Sequence, residues 1–405
     1  MSPNKRRPIS DRSPALSEKA PISLPRKLMF SCFVVVSLFL ACEGLLRLAR
    51  LGEPPEVGVL RFGYDSGIPL YDSDGIEREG EPFRDFPIFE SDAELFWKPI
   101  ADTPFTGIDG LRLEAPKSKN NERGAFRVGV IGDSCSFLGQ DLYPNQFGRM
   151  LEQQLGRPVE VVNASCPGYT SEQGKRRLND LWDWDVDLVI VYFGWNDHWK
   201  SLNGMTDGDL YSRQELSEEA QSWLGMSRLV WLLYSLRAKL TPPVPAAQSP
   251  VRVPLENYRQ NLSEILDSCE MRECPVLCIT APSAFLANQL PDWAFSFFGQ
   301  IYRMSFEEVA SIPETHAAYH SVIRQLCADR DIAKVVDVAK HWSSEDQWDR
   351  LPERFRGDRI HLTDQGHREI AELCFQVYSG SLMNSEFPMN TGEEAGAKST
   401  QVNPE

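Results

Sequence analysis

The sequence is most informative at first through what it lacks. Among its nine cysteines there is no CxxC pair, and none stands at the Cys/His spacing of a zinc site, so a metal framework is not expected. Neither phosphate-binding pattern, GxxxxGK[ST] or GxGxxG, occurs, and no internal repeat is visible. Basic charge is scarce outside the first 27 residues. Those hold seven cationic side chains against two anionic, and a tail of +5 in a chain of −16 leaves −21 for the rest. A body that acidic repels phosphate backbones, which disfavours sequence-independent nucleic-acid binding. With 405 residues, 42% hydrophobic and 25% charged, the composition is ordinary for a globular protein and excludes wholesale disorder, a collagen-like chain and a polytopic membrane protein.

One apolar run stands out, Leu28 to Cys42, extendable through Glu43 to Leu46. Fifteen helical residues span roughly 22 Å of a hydrocarbon layer roughly 30 Å thick, whereas nineteen nearly suffice. The basic residues before it predict residues 1–27 as a disordered cytoplasmic tail and 28–46 as an uncleaved, single-pass anchor, with the body on the extracytoplasmic side; Arg47 and Arg50 weaken that asymmetry. A cleaved signal peptide is the rival, but 27 residues precede the run and no small-x-small site follows cleanly. Phe39-Leu40-Ala41-Cys42 is loosely similar to a lipoprotein box, with bulky residues where small ones are wanted, so lipidation at Cys42 is the second alternative.

Residues 47–125, rich in Gly, Pro, Asp and Glu, read as an irregular lead-in packing on the main domain, with isolated aromatics at Phe89, Phe96 and Trp97. From Phe126 short β-branched runs alternate with amphipathic stretches, the pattern of an α/β domain with a five-stranded parallel sheet over residues 126–380. Strands are predicted at Phe126–Ile131, Val159–Asn163, Leu188–Tyr192, Val276–Thr280 and Lys334–Val338. Helices are predicted at Gln146–Leu155, Leu255–Cys269, Thr315–Asp329, after a capping box at Thr170 and Gln173, and from Thr363 to about Tyr378. Two connections are unusually long, Lys200–Val253 and Pro282–Pro313, and residues 381–405 read as a disordered tail.

Four loops carry the chemistry. Gly132-Asp133-Ser134 follows the first strand, Asn163-Ala164-Ser165-Cys166-Pro167-Gly168 the second, and Gly194-Trp195-Asn196-Asp197 the third. Asp358-Arg359-Ile360-His361 precedes the last helix. Each alone has a plain alternative as a helix cap or polar turn. Together they fall at the carboxyl ends of strands, where open α/β sheets bind ligands, and they supply a hydroxyl, a base with a nearby carboxylate, a glycine N–H and a side-chain amide.

These four segments resemble the blocks of the SGNH (GDSL-type) hydrolases, in order, over roughly Phe126 to Tyr378. The resemblance implies a flavodoxin-like three-layer α/β/α fold and a serine esterase or lipase that needs no cofactor or metal. Ser134 would be the nucleophile, His361 the base and Asp358 its orienting group, with an oxyanion hole of Ser134, Gly168 and Asn196. It also implies an acyl-ester substrate on a saccharide or lipid, acetyl among the candidate acyl groups. An O-acyltransferase using the same triad, or an idle scaffold on the same fold, stays open as an alternative. Cys135 and Cys166 stand where larger apolar residues are usual. Following adjacent strands, they could form a disulfide if their Cα atoms came within about 7 Å, or remain two buried thiols. Elsewhere, His316 and His320 have the i,i+4 spacing of metal ligands but no third partner; a surface or core role is the stronger reading. His198, His341 and His367 show no such pairing, and Trp293, Phe295, Phe297 and Phe298 could line an acyl pocket, touch a bilayer or pack in a core.

Overall fold

The computed structural model describes residues 23–49, 51, 89–92, 94–103, 106–112, 118–121, 124–201, 204–215, 227–230, 232–233, 236, 249–285, 290, 292, 294–295, 298 and 304–383. The chain forms two compact units, Met1–Pro54 with Ala220–Leu240, and Pro55–Glu219 with Thr241–Glu405. In the first, helix α1 (Leu24–Leu48) buries none of its side chains, and among the described residues it is the one helix long and apolar enough to cross a membrane. Its lone carboxylate, Glu43, is well provided with donors: Arg47 Nε at 2.8 Å, Ser227 Oγ at 2.9 Å, and the backbone N–H groups of Arg228 and Leu229 at 3.1 and 3.0 Å. A charge in an apolar helix is costly unless its acceptor sites are filled in this way.

The first described elements of the second unit are an antiparallel hairpin, β1 (Phe89–Asp92) and β2 (Phe96–Pro99), whose turn is closed by Asp92 Oδ1 accepting the N–H groups of Glu94 and Leu95. Five parallel strands follow: β3 (Phe126–Gly132), β4 (Val159–Asn163), β5 (Leu188–Phe193), β6 (Val276–Thr280) and β7 (Ala333–Val336), in the spatial order β4-β3-β5-β6-β7. That is the doubly wound order with its switch point between β3 and β5, where neighbouring connections leave in opposite directions and open a crevice at the carboxyl edge. Registers such as Val130 opposite Asn163 and Gly132 opposite Tyr192 bring the carboxyl ends of β4 and β5 level with that of β3.

The inner strands β5 and β6 are buried along their whole length because both faces are covered. The pleat sends Val128, Val130, Leu188, Ile190 and Tyr192 to one face, into a core shared with helices α3 (Tyr143–Leu155) and α8 (Asp364–Met383). Ile131, Val189, Val191 and Phe193 go to the other face, with α4 (Ser171–Trp182), α6 (Leu255–Glu270) and α7 (Ile312–Ala328). The hairpin joins that second core through Phe89, Leu95 and Trp97. A short helix α5 (Asp207–Glu215) lies in the connection after β5.

Local chemistry accounts for the element boundaries. At the start of α4 the capping box forms, with Thr170 N–H donating to Gln173 Oε1 at 2.8 Å. Helix α3 opens with Pro144 and stops at Gly156, whose φ of 63° ends it in the left-handed region. The last strand is displaced from the expected Lys334–Val338: it covers Ala333–Val336, because Asp337 caps a new helix at Val338 by accepting the Lys340 N–H.

Candidate active site

Strand β3 ends in a crowded turn. A Cβ on Gly132 would lie 2.5 Å from Ser136 Oγ, so the backbone approaches in a way that only glycine allows. Asp133 is fully buried and caps helix α2 (Ser134–Phe137) by accepting the Cys135 N–H at 2.8 Å. Burial pushes Asp133 up to about 6, and its second oxygen has no partner. The cap and the chemical reading of this tripeptide are therefore compatible: Asp133 makes the turn and Ser134 takes the first helical position, half-buried.

Ser134 Oγ lies 2.8 Å from Nε2 of His361, and Nδ1 of His361 lies 2.6 Å from Asp358 Oδ2. Asp358 also accepts the N–H groups of Ile360 (2.9 Å) and His361 (2.8 Å) through its other oxygen, which fixes the turn that carries the imidazole. Burial alone would raise Asp358, but the histidine beside it and these hydrogen bonds outweigh that and hold it below the ordinary carboxylate range. An ionised carboxylate at Nδ1 selects the tautomer protonated there and leaves the Nε2 lone pair directed at the serine hydroxyl.

Gly168 and Asn196 lie on the loops that follow β4 and β5. Gly168 has a φ of 81°, a left-handed conformation in which other residues are strained. Asn196 donates one amide N–H to Tyr169 O at 3.0 Å, and its amide carries a second. Asp197, singled out in the sequence only as part of its block, ties the loop together: Oδ1 accepts from Ser171 N (2.9 Å) and Ser171 Oγ (2.6 Å), Oδ2 from Gly194 N (3.1 Å). It is completely buried, and burial pushes it up to about 7 against the pull of the Ser171 hydrogen bonds.

The remaining histidines are committed elsewhere. His316 uses Nε2 on the Ala281 carbonyl (2.8 Å) and Nδ1 on His198 (2.9 Å), with Trp195 stacked on its ring, so neither nitrogen is left for a metal. His320 is buried beside it and drawn down to about 3 by that burial, its Nε2 unpartnered. His367 donates to Leu138 O and accepts from Tyr143 N, while His341 is exposed. Of the aromatic run, Phe298 is core, packed on Trp199 and Phe285, and Phe295 stacks on Phe306; Trp293 and Phe297 lie outside the described residues.

The disulfide alternative for Cys135 and Cys166 is corrected. Both are free thiols, Cys135 in the core on the α3 side and Cys166 in the core on the α4 side. Cys135 lies in helix α2 and Cys166 in the loop beyond β4, and the two thiols enter the cores on opposite faces of the sheet.

The model of the GDSL-like lipase/acylhydrolase family matches residues 130–369, from within β3 into α8. No curated protein matches the chain. Among solved structures, the lipase/acylhydrolase from Enterococcus faecalis is 17% identical, with 63% of this chain and 96% of that one covered and a TM-score of 0.39. The family 3 carbohydrate esterase of Clostridium thermocellum is 14% identical (65% and 99% covered, TM-score 0.36). An acetyl xylan esterase is 15% identical (62% and 98% covered, TM-score 0.38).

Proposed function

We propose that this chain, which belongs to the GDSL-like lipase/acylhydrolase family and is a hydrolase of that type, removes an O-acyl group, acetyl included, from a saccharide or lipid by a Ser-His-Asp mechanism. One observation carries the reading: the unbroken line of hydrogen bonds from Ser134 Oγ through His361 to Asp358. A serine hydroxyl is a poor nucleophile at neutral pH until a base takes its proton. As Ser134 Oγ bonds to the ester carbonyl carbon, the proton moves to His361 Nε2, and Asp358 stabilises the imidazolium. The carbonyl oxygen becomes an oxyanion, held by the N–H groups of Ser134 and Gly168 and the second amide N–H of Asn196. The intermediate collapses as the alcohol leaves with the Nε2 proton. Water, deprotonated by the same nitrogen, then cleaves the acyl-enzyme to release the acid and restore Ser134.

The full-length protein in detergent, assayed on p-nitrophenyl acetate and acetylated sugars, should be labelled by a serine-directed phosphonate at Ser134, and Ser134→Ala should abolish both labelling and turnover. A label mapping elsewhere, or undiminished turnover by Ser134→Ala, overturns the mechanism. Partition of the acyl-enzyme to added sugar rather than water would reassign it as a transferase.

Helix α1 is assigned as the anchor, with the hydrolase unit outside the cytoplasm, on the charge asymmetry around an apolar helix of sufficient length. Protease added to sealed spheroplasts should digest the body. A mature chain starting at a lipid-modified Cys42 would refute the anchor.

A further inference from the structure

We propose that Trp97 and Arg252 are positioning residues for the oxyanion site, acting on the two peptides that flank the Gly168 Cα, Trp97 on Pro167–Gly168 and Arg252 on Gly168–Tyr169; the inference rests on the mechanism above. Trp97 comes from the hairpin ahead of the sheet, outside the stretch the family model matches, and Arg252 from the end of the long connection after β5. The indole Nε1–H of Trp97 donates to Pro167 O at 3.1 Å, and Nη1 of Arg252 donates to the next carbonyl, Gly168 O, at 2.8 Å.

The peptide group is planar and trans, so its C=O and N–H point in opposite directions. A donor that fixes the Pro167 carbonyl therefore also fixes the line along which the Gly168 N–H is presented. That N–H donates to nothing among the described residues. The restraint matters because Gly168 sits at a positive φ and glycine alone resists rotation of the adjoining peptide planes least. A hydrogen bond to the carbonyl also polarises the amide and strengthens its N–H as a donor.

Both positioning side chains are themselves held. Trp97 is buried, and its own carbonyl accepts Tyr169 O–H at 2.7 Å, so hairpin and loop are tied in both directions. Arg252 is clamped by Asp207 through two hydrogen bonds (3.2 and 2.8 Å), and Asp207 Oδ2 also accepts Thr170 Oγ1 at 3.0 Å, at the cap of α4. Nothing in the four blocks encodes these contacts. They make the lead-in hairpin and the long connection working parts of the site.

The test is to replace Trp97 by benzothienylalanine, in which sulfur substitutes for the N–H within the same ring shape, alongside Trp97→Phe and Arg252→Lys. Turnover is followed on p-nitrophenyl acetate and inhibition by an alkyl boronic acid that forms a tetrahedral serine adduct. Each change should lower kcat roughly three- to tenfold, the order of one buried hydrogen bond, and weaken the boronate by the same factor, leaving KM and the thermal midpoint of the benzothienylalanine protein near wild type. Wild-type kcat and boronate affinity in that protein, or a loss confined to KM, overturns the proposal. The two levels separate cleanly: an active Ser134→Ala sinks the mechanism itself, whereas an inert Ser134→Ala beside fully active Trp97 and Arg252 variants sinks this inference alone.

Discussion

Asp358 and His361 sit three residues apart on one turn, and the carboxylate that orients the imidazole also accepts the two backbone N–H groups that shape the turn. Gly168 and Asn196 are supported differently. Asn196 leans on Tyr169 from another loop, Asp197 bridges to the start of α4, and Trp97 and Arg252 reach in from segments remote in sequence. On the proposed mechanism, the base half of the site is thus assembled locally and the oxyanion half by tertiary structure. A local turn survives remodelling of the surroundings, whereas the second half moves whenever the hairpin or the long connection moves.

The largest expected effect breaks the local half. Asp358→Asn keeps the shape but replaces the carboxylate by an amide that can donate to Nδ1, so His361 is held in the wrong tautomer and the serine loses its base. We expect kcat to fall by about 10³ to 10⁴ without a matching loss of stability. A loss below tenfold would show that the turn orients a residue the reaction does not use. Next in size is Asn196→Ala, for which kcat should fall roughly 100- to 1,000-fold with a smaller change in KM, because the amide acts chiefly on charge that develops in the transition state. A change confined to KM would reassign Asn196 to ground-state binding.

The same contrast explains what could be read from the sequence. All five sheet strands were legible as short runs rich in β-branched residues; the three inner ones are buried along their whole length and the two edge strands, β4 and β7, only in part. Ser134, Asp358 and His361 stood out in the sequence through short blocks, and the fold brings the three side chains into one line of hydrogen bonds. The hairpin was not legible: its strands are four residues long, and Phe89 and Trp97 are buried only because the main domain offers them a core. Arg252 and Asp207 were invisible for the same reason, since an arginine and an aspartate 45 residues apart say nothing until a fold joins them. The cysteine pair failed because the adjacency of the two strands could be read, whereas the side of the sheet that the residues beyond them turn to could not.

A smaller effect should come from Asp197, the buried brace of the oxyanion half. The native state holds its proton up to about pH 7, whereas an unfolded aspartate releases it near 4, so between those values the native state binds more protons. Stability from this group is therefore present at low pH and is lost as pH rises from about 4 to about 7, with a slope approaching 1.4 kcal/mol per pH unit. Asp197→Asn cannot titrate and should flatten that slope in denaturant-midpoint measurements, although it costs stability at every pH by presenting an N–H to a neighbouring donor. Asp133, pushed up to about 6, contributes in the same direction in both proteins and cancels in the difference. Parallel curves for wild type and variant would remove Asp197 from the pH response.

The smallest expected effect is none, and it concerns how the two halves are joined. Cys135 follows Ser134 and Cys166 lies two residues before Gly168, so a disulfide between them would have made the site one covalent unit. The thiols instead lie in separate cores, and burial pushes both well above the ordinary thiol range, which leaves almost no thiolate at neutral pH. Reducing agent should leave kcat and the thermal midpoint unchanged. Iodoacetamide should modify neither thiol in the folded protein and both in denaturant without prior reduction, as read by peptide mass mapping. Activity that rises or falls with reductant, or a Cys135–Cys166 cross-linked peptide from the non-reduced protein, would mean that the halves are covalently tied and that their separate means of support matter less than the bond between them.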